Sequence, residues 1–169
     1  MPASSPSAAA PAAGLLHQLR FARGATERII SDIPTDQLCA QPGSGLNHAM
    51  FVVGHLACTD DFFLKEFGGR PLALSERWHQ AFSGTPTSDA SKYPAFAEVK
   101  KAFDERREAL ITWLEGLSEA QLDAPTPEKW RAYAPTMRDV AFFAAWHEGY
   151  HGGQVSTLRR AFGLGPALG

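Results

Sequence analysis

Apolar residues recur at three- and four-residue steps along most of this chain, and that spacing predicts helices. Leu15, Leu16, Leu19, Ala22, Arg23, Thr26, Ile29 and Ile30 make a mostly apolar stripe over residues 14–30, with Arg20, Glu27 and Arg28 adding charge mostly elsewhere. Pro34 stops the pattern, and residues 31–44 read as a connection with a turn at Thr35–Leu38. A second helix is expected over 47–67, capped by Asn47 or Ser44. Met50, Phe51, Val53, Leu56, Phe62, Phe63 and Phe67 make it apolar nearly all round, as in a buried helix, and Gly68-Gly69-Arg70-Pro71 ends it. Residues 70–93 read as a long crossover holding a short helix at Ser75–Phe82.

A third long helix is expected from Pro94 or Ala95 to Gly116, with Phe96, Val99, Phe103, Arg106, Leu110, Trp113 and Leu114 on its face. Its charges from Lys100 to Glu108, Arg107 among them, read as a solvated face with local ion pairs. After a proline-punctuated connection over 118–136, the fourth helix starts at Thr136, with Asp139 as its capping partner. No alternating β-run appears. The pattern is that of an all-α four-helix bundle whose long crossover lies between its second and third helices. A faint echo between Ile30-x-x-Ile33-x-x-x-x-Leu38 and Leu114-x-x-Leu117-x-x-x-x-Leu122 suggests two helical hairpins side by side.

Composition narrows the class. A chain of 169 residues, 44% hydrophobic and 20% charged, suits one domain, here residues 13–165. Residues 1–12 are rich in Ala, Ser and Pro and read as a disordered tail, too weak in basic and apolar character for a signal peptide. A net charge of −2 gives no nucleic-acid surface, and no apolar run is long enough to span a membrane. Two cysteines, Cys39 and Cys58, fit a reducing, cytoplasmic setting better than a stapled secreted fold.

The candidate chemistry sits on the fourth helix. His147 and His151 are one turn apart on the same face as Val140, Phe143, Ala144, Gln154, Val155 and Leu158, so both imidazoles can point at one ion. On the second helix, His55 lies near the buried side, beside Val52 and Leu56. It is either a third ligand or a core histidine bonded to a carbonyl or carboxylate. His48 is two turns from it, about 10 Å along the axis, too far to share the ion but placed to line an entrance. Residues 147–151 also spell the zincin motif His-Glu-x-x-His. A zincin needs that glutamate beside a substrate cleft, and no sheet is predicted to build one. Glu148 lies about 100° round the helix from His147, where it reaches solvent, a neighbouring helix or the edge of the site. Cys58 reads as a buried, inert thiol.

The block Phe142-Phe-Ala-Ala-Trp-His147-Glu-Gly-Tyr-His151-Gly-Gly-Gln154, with Asn47-His48 through His55-Leu-Ala-x-x-Asp60, Leu74-Ser-Glu-Arg-Trp78 and Leu117-Ser-Glu-x-x-Leu122, resembles the DinB/YfiT-like family of metal-binding four-helix bundles. The resemblance implies metal ligation by His55, His147 and His151, with Zn, Ni, Fe or Mn as the divalent ion. It implies an enzyme using a low-molecular-weight thiol, of transferase or isomerase type, acting on a small molecule. The alternatives are a metal-dependent hydrolase and a non-enzymatic metal-binding protein. It also implies a homodimer. Asn47, His48, Trp78, Tyr150, Gln154 and Arg159 are then candidates for the pocket and for support of the ligands.

Overall fold

The computed structural model describes residues 13–43 and 45–168. The tail read at residues 1–12 and the alternative cap Ser44 lie outside them. The helices are α1 (Ala13–Ile30), α2 (Ala49–Glu66), α3 (Glu76–Ala81), α4 (Phe96–Glu115), α5 (Glu119–Leu122) and α6 (Met137–Ala161). The long ones, α1, α2, α4 and α6, form the bundle, and each starts within two residues of its expected position. The crossover from α2 to α4 carries α3 and a 3-10 turn at Ala90–Lys92. Among the described residues no helix is long and apolar enough to cross a membrane.

The caps follow sequence logic with one substitution. Thr136 and Asp139 form the expected reciprocal box at the start of α6, and Ser118 with Gln121 does the same for α5. At α2 the cap is not Asn47 but His48, whose Nδ1 accepts from the Phe51 N–H at 3.1 Å. Its Nε2 lies 2.9 Å from the Thr87 carbonyl. Both ring nitrogens are used and the residue is fully buried, so His48 anchors the crossover and does not line an entrance.

α1 packs most closely on α6, and α2 on α4. The expected hairpins of consecutive helices are therefore not the intimate pairs. The connections over 31–48 and 116–136 are long enough to carry α1 away from α2 and α4 away from α6, while α2 and α4 stay packed across the crossover.

Two apolar clusters fill the bundle. One holds Ile29, Met50, Val53, Leu56, Phe82, Phe103 and Val155, and the other Leu15, Leu19, Phe63, Leu110, Leu114, Leu122, Val140 and Ala144. Between them each long helix contributes one charged residue to a shared buried layer: Arg23 from α1, Asp60 from α2, Arg107 from α4 and Glu148 from α6. Asp60 accepts from Arg107 Nε at 2.8 Å and Nη2 at 3.0 Å, and from Arg23 Nη2 at 3.3 Å. Glu148 accepts from Arg23 Nε at 2.7 Å. Its other oxygen is 2.7 Å from Arg107 Nη1, a charge contact too bent to count as a hydrogen bond. Two cations and two anions cancel, which makes burial of four charges tolerable. Arg107 thus departs from the solvated face expected for it. Lys100–Asp104 and Lys101–Glu105 keep that face as surface pairs four residues apart.

Gly54 lets the crossover reach the core. A Cβ there would stand 2.2 Å from the ring of Phe82, which is buried against α2. Burying such a ring contributes about 1.5–3 kcal/mol. Gly54→Ala is expected to destabilise the protein by about 1–3 kcal/mol through overpacking. Urea unfolding should show a lower midpoint with an unchanged slope.

Candidate metal centre

α2 and α6 bring three imidazoles to one point. His147 Nε2 is 3.4 Å from His55 Nε2 and 3.1 Å from His151 Nε2. All three candidate ligand atoms lie within 4.8 Å of one another, and no other group of three or more ligating side chains occurs among the described residues. Helical periodicity accounts for the pair on α6, and only the packing of α2 against α6 adds His55.

The far nitrogens settle which atoms face the centre. His55 Nδ1 lies 3.0 Å from the Phe82 carbonyl, and His151 Nδ1 lies 2.8 Å from Gln154 Oε1. Both partners are acceptors, so each Nδ1 carries the proton and each Nε2 turns a lone pair inward. Gln154 Oε1 also accepts from Asn47 Nδ2 at 2.9 Å, tying α6 to the start of α2. His147 Nε2 can donate to only one of its two neighbours, so the cluster has more acceptors than protons. A tetrahedral ion with bonds of about 2.0–2.1 Å separates its nitrogens by about 3.3–3.4 Å. The two separations from His147 and the inward lone pairs both fit a cation.

The site is also electrostatically set for neutral ligands. Burial, then the charges of His151, His55 and Arg107, push His147 down to about 3. Burial lowers His151 to about 4 despite its bond to Gln154, and lowers His55 despite its bond to Phe82. These folded values lie below the ordinary 6.5, so below that pH the unfolded chain binds more protons than the folded one. Metal-free protein is expected to lose stability as pH falls from 6.5 towards about 3, with no contribution from these groups above that window. Melting temperatures of chelator-treated protein between pH 8 and pH 4.5 read this directly.

The other candidates separate cleanly. Asn47 and Gln154 support His151, as described. Tyr150 sets its ring edge-on to His151 at 5.1 Å and is largely exposed. Trp78 packs on Phe82 at 5.7 Å and covers the bundle. Arg159 is bound to Asp32, to the Ile29 carbonyl at 2.9 Å and to the Gly165 carbonyl at 3.0 Å, so it fastens the end of α6 to that of α1. Glu148 belongs to the buried charge layer, turned away from the role a zincin base would need. Cys58 is buried, and desolvation, helped by Asp61, raises its thiol to about 12, which leaves it inert. It lines a groove of about 340 Å3 together with His55, Thr59, Phe62, Glu76 and His79. His79 did not stand out in the sequence, because nothing in the short α3 shows that its face turns towards α2.

The profile of the DinB superfamily matches residues 18–155, a span that includes all three histidines. Among solved structures, YfiT from Bacillus subtilis, described as a probable metal-dependent hydrolase with an unusual four-helix bundle topology, superposes with a TM-score of 0.66 at 15% identity. That match covers 98% of this chain and 94% of YfiT. A conserved protein from Enterococcus faecalis superposes with a TM-score of 0.62 at 18% identity, over 88% of this chain and 95% of its own. At such identities the likeness is one of fold. No curated protein matches the sequence. With the family profile spanning most of the bundle and the topology shared with YfiT, the chain belongs to the DinB superfamily.

Proposed function

We propose that this protein is a divalent-metal-dependent hydrolase of small molecules, with the ion held by His55, His147 and His151. The observation that carries the reading is the convergence of three imidazoles, with His147 Nε2 at 3.4 and 3.1 Å from the other two Nε2 atoms and the lone pairs of His55 and His151 fixed inward. Bound there, a zinc, nickel, iron or manganese ion lowers the pKa of water and polarises an electrophile. The chain's own contributions are the orienting bonds from Phe82 and Gln154 and the groove beside His55. No Lys or Arg lines that groove and Glu76 does, which suits a neutral or cationic acyl compound better than a phosphate ester.

The thiol-dependent transferase implied by the resemblance takes second place, because the structural relative with a described activity is a probable hydrolase. Stripping the protein with chelator and reloading it with each metal separates the two. Turnover of small esters and amides that returns on reloading, without added thiol, supports hydrolysis. Turnover that requires a low-molecular-weight thiol supports the transferase. No turnover in either condition removes both.

The homodimer is likewise a proposal. Its contact would be the outer face of α1 and α6, where exposed Phe21, Phe142 and Trp146 flank an apolar groove of about 640 Å3. Sedimentation velocity reads the state.

A further inference from the structure

Hydrolysis needs a group that takes a proton from water, and the buried Glu148, His48 and Asp61 are all committed elsewhere. Glu148 is locked between two arginines, His48 caps α2, and Asp61 is buried. Asp61 does, however, hold a residue that reaches the groove. Its Oδ2 lies 3.2 Å from His79 Nε2 and accepts from the Leu74 N–H at 3.0 Å, while Oδ1 accepts from the Ala73 N–H at 3.0 Å. Every partner of this carboxylate is a donor, so His79 carries its proton on Nε2 and leaves Nδ1 bare. That Nδ1 has no hydrogen-bond partner among the described residues, and the side chain is 24% exposed. His79 and His55 line the same groove from opposite elements, α3 and α2.

We propose that His79 is the general base and acid of the reaction, with Asp61 as its positioning residue. The inference rests on the hydrolytic reading above. A water in the groove gives one proton to His79 Nδ1 as its oxygen bonds to the acyl carbon of the substrate. The bond from that carbon to the leaving oxygen or nitrogen then breaks, and the leaving atom takes the proton back from Nδ1. The products are a carboxylic acid and an alcohol or amine, and His79 ends as it began. Asp61 fixes the tautomer and offsets the imidazolium charge between the two transfers. The other charged or titratable groups around the pair are Arg106 on α4, 3.6 Å from Asp61, with Glu76 on α3 and Cys58 on α2 in the groove wall.

The test uses His79→Gln, whose amide can still donate to Asp61 and keep the crossover docked. Zinc-loaded wild type and variant are compared on p-nitrophenyl acetate, with bound zinc and melting temperature measured in parallel. The expected result is unchanged zinc content and melting temperature, kcat lower by about 10²–10⁴-fold at similar KM, and loss of the acidic limb of the pH–rate profile. Independently of activity, the His79 ring in histidine-labelled wild type should keep the Nε2–H tautomer in its nitrogen NMR signals and broaden when cobalt replaces zinc. A variant that keeps kcat and the limb, or a His79 ring that cobalt leaves untouched, overturns the proposal and spares the hydrolytic reading. A wild type that hydrolyses no ester with any metal overturns that reading, and the proposal with it.

Discussion

Glu148→Gln is expected to cost about 3–5 kcal/mol of folding stability while leaving the metal content of the still-folded protein intact. Removing one member of a paired, buried set leaves its partners uncompensated, and that penalty is what such substitutions measure. Here the variant leaves Arg23 and Arg107 facing Asp60 alone, in a layer closed on both sides by apolar clusters. Arg107→Ala should cost a comparable amount, because it strands two carboxylates against Arg23. The single losses should not add in the double variant, since all four groups share partners. Chemical denaturation at neutral pH gives the numbers. A Glu148→Gln protein of wild-type stability would mean that the layer does not pin the bundle. The same variant bears on the zincin spelling. A zincin glutamate can be neutralised without disturbing the fold, whereas this one is held by α1 and α4 and acts on architecture.

His147→Ala should abolish stoichiometric metal binding. Its Nε2 is within 3.4 Å of both other proposed ligand atoms, so its removal leaves His55 and His151 as an incomplete pair. The loss should exceed the effect of Gln154→Ala, which only releases the orientation of His151 and is expected to weaken binding by about 10–100-fold. Metal analysis after purification, followed by titration with zinc, gives both values. A linked readout is stability. Ligand present at about 100 times its Kd stabilises a folded protein by about 2.7 kcal/mol, so zinc should raise the melting temperature of the wild type and not of His147→Ala. Equal metal content in all three proteins would place the ion elsewhere or dismiss it as adventitious.

The helices were legible because helical periodicity is a local property. Apolar stripes, the Thr136–Asp139 box and the Gly68-Gly69 stop each lie within a few residues of what they control. The same periodicity put His147 and His151 on one face without any knowledge of the rest of the chain. The approach of His55 was open in the sequence as a choice between ligand and core residue, and the resemblance to a family leaned towards the first.

What stayed hidden depended on contacts between residues far apart in the chain. Arg23 occupied a position in an apolar stripe, which was a signal, but its partners Asp60, Phe103 and Glu148 lie on three other helices. Arg107 was masked by the run of surface charges around it. His48 and Asn47 exchanged expected roles, because the Asn47 amide is drawn to Gln154 across the bundle and leaves the cap to its neighbour. The pairing of α1 with α6 and of α2 with α4 has the same origin. Sequence neighbours predict spatial neighbours only when the connection is short, and those over 31–48 and 116–136 are long. Periodicity therefore determined the helices and one edge of the histidine triangle. The third histidine's place, the buried charges and the Asp61–His79 pair were decided by which faces meet, since burial makes a lone charge costly and so selects the packing that pairs it.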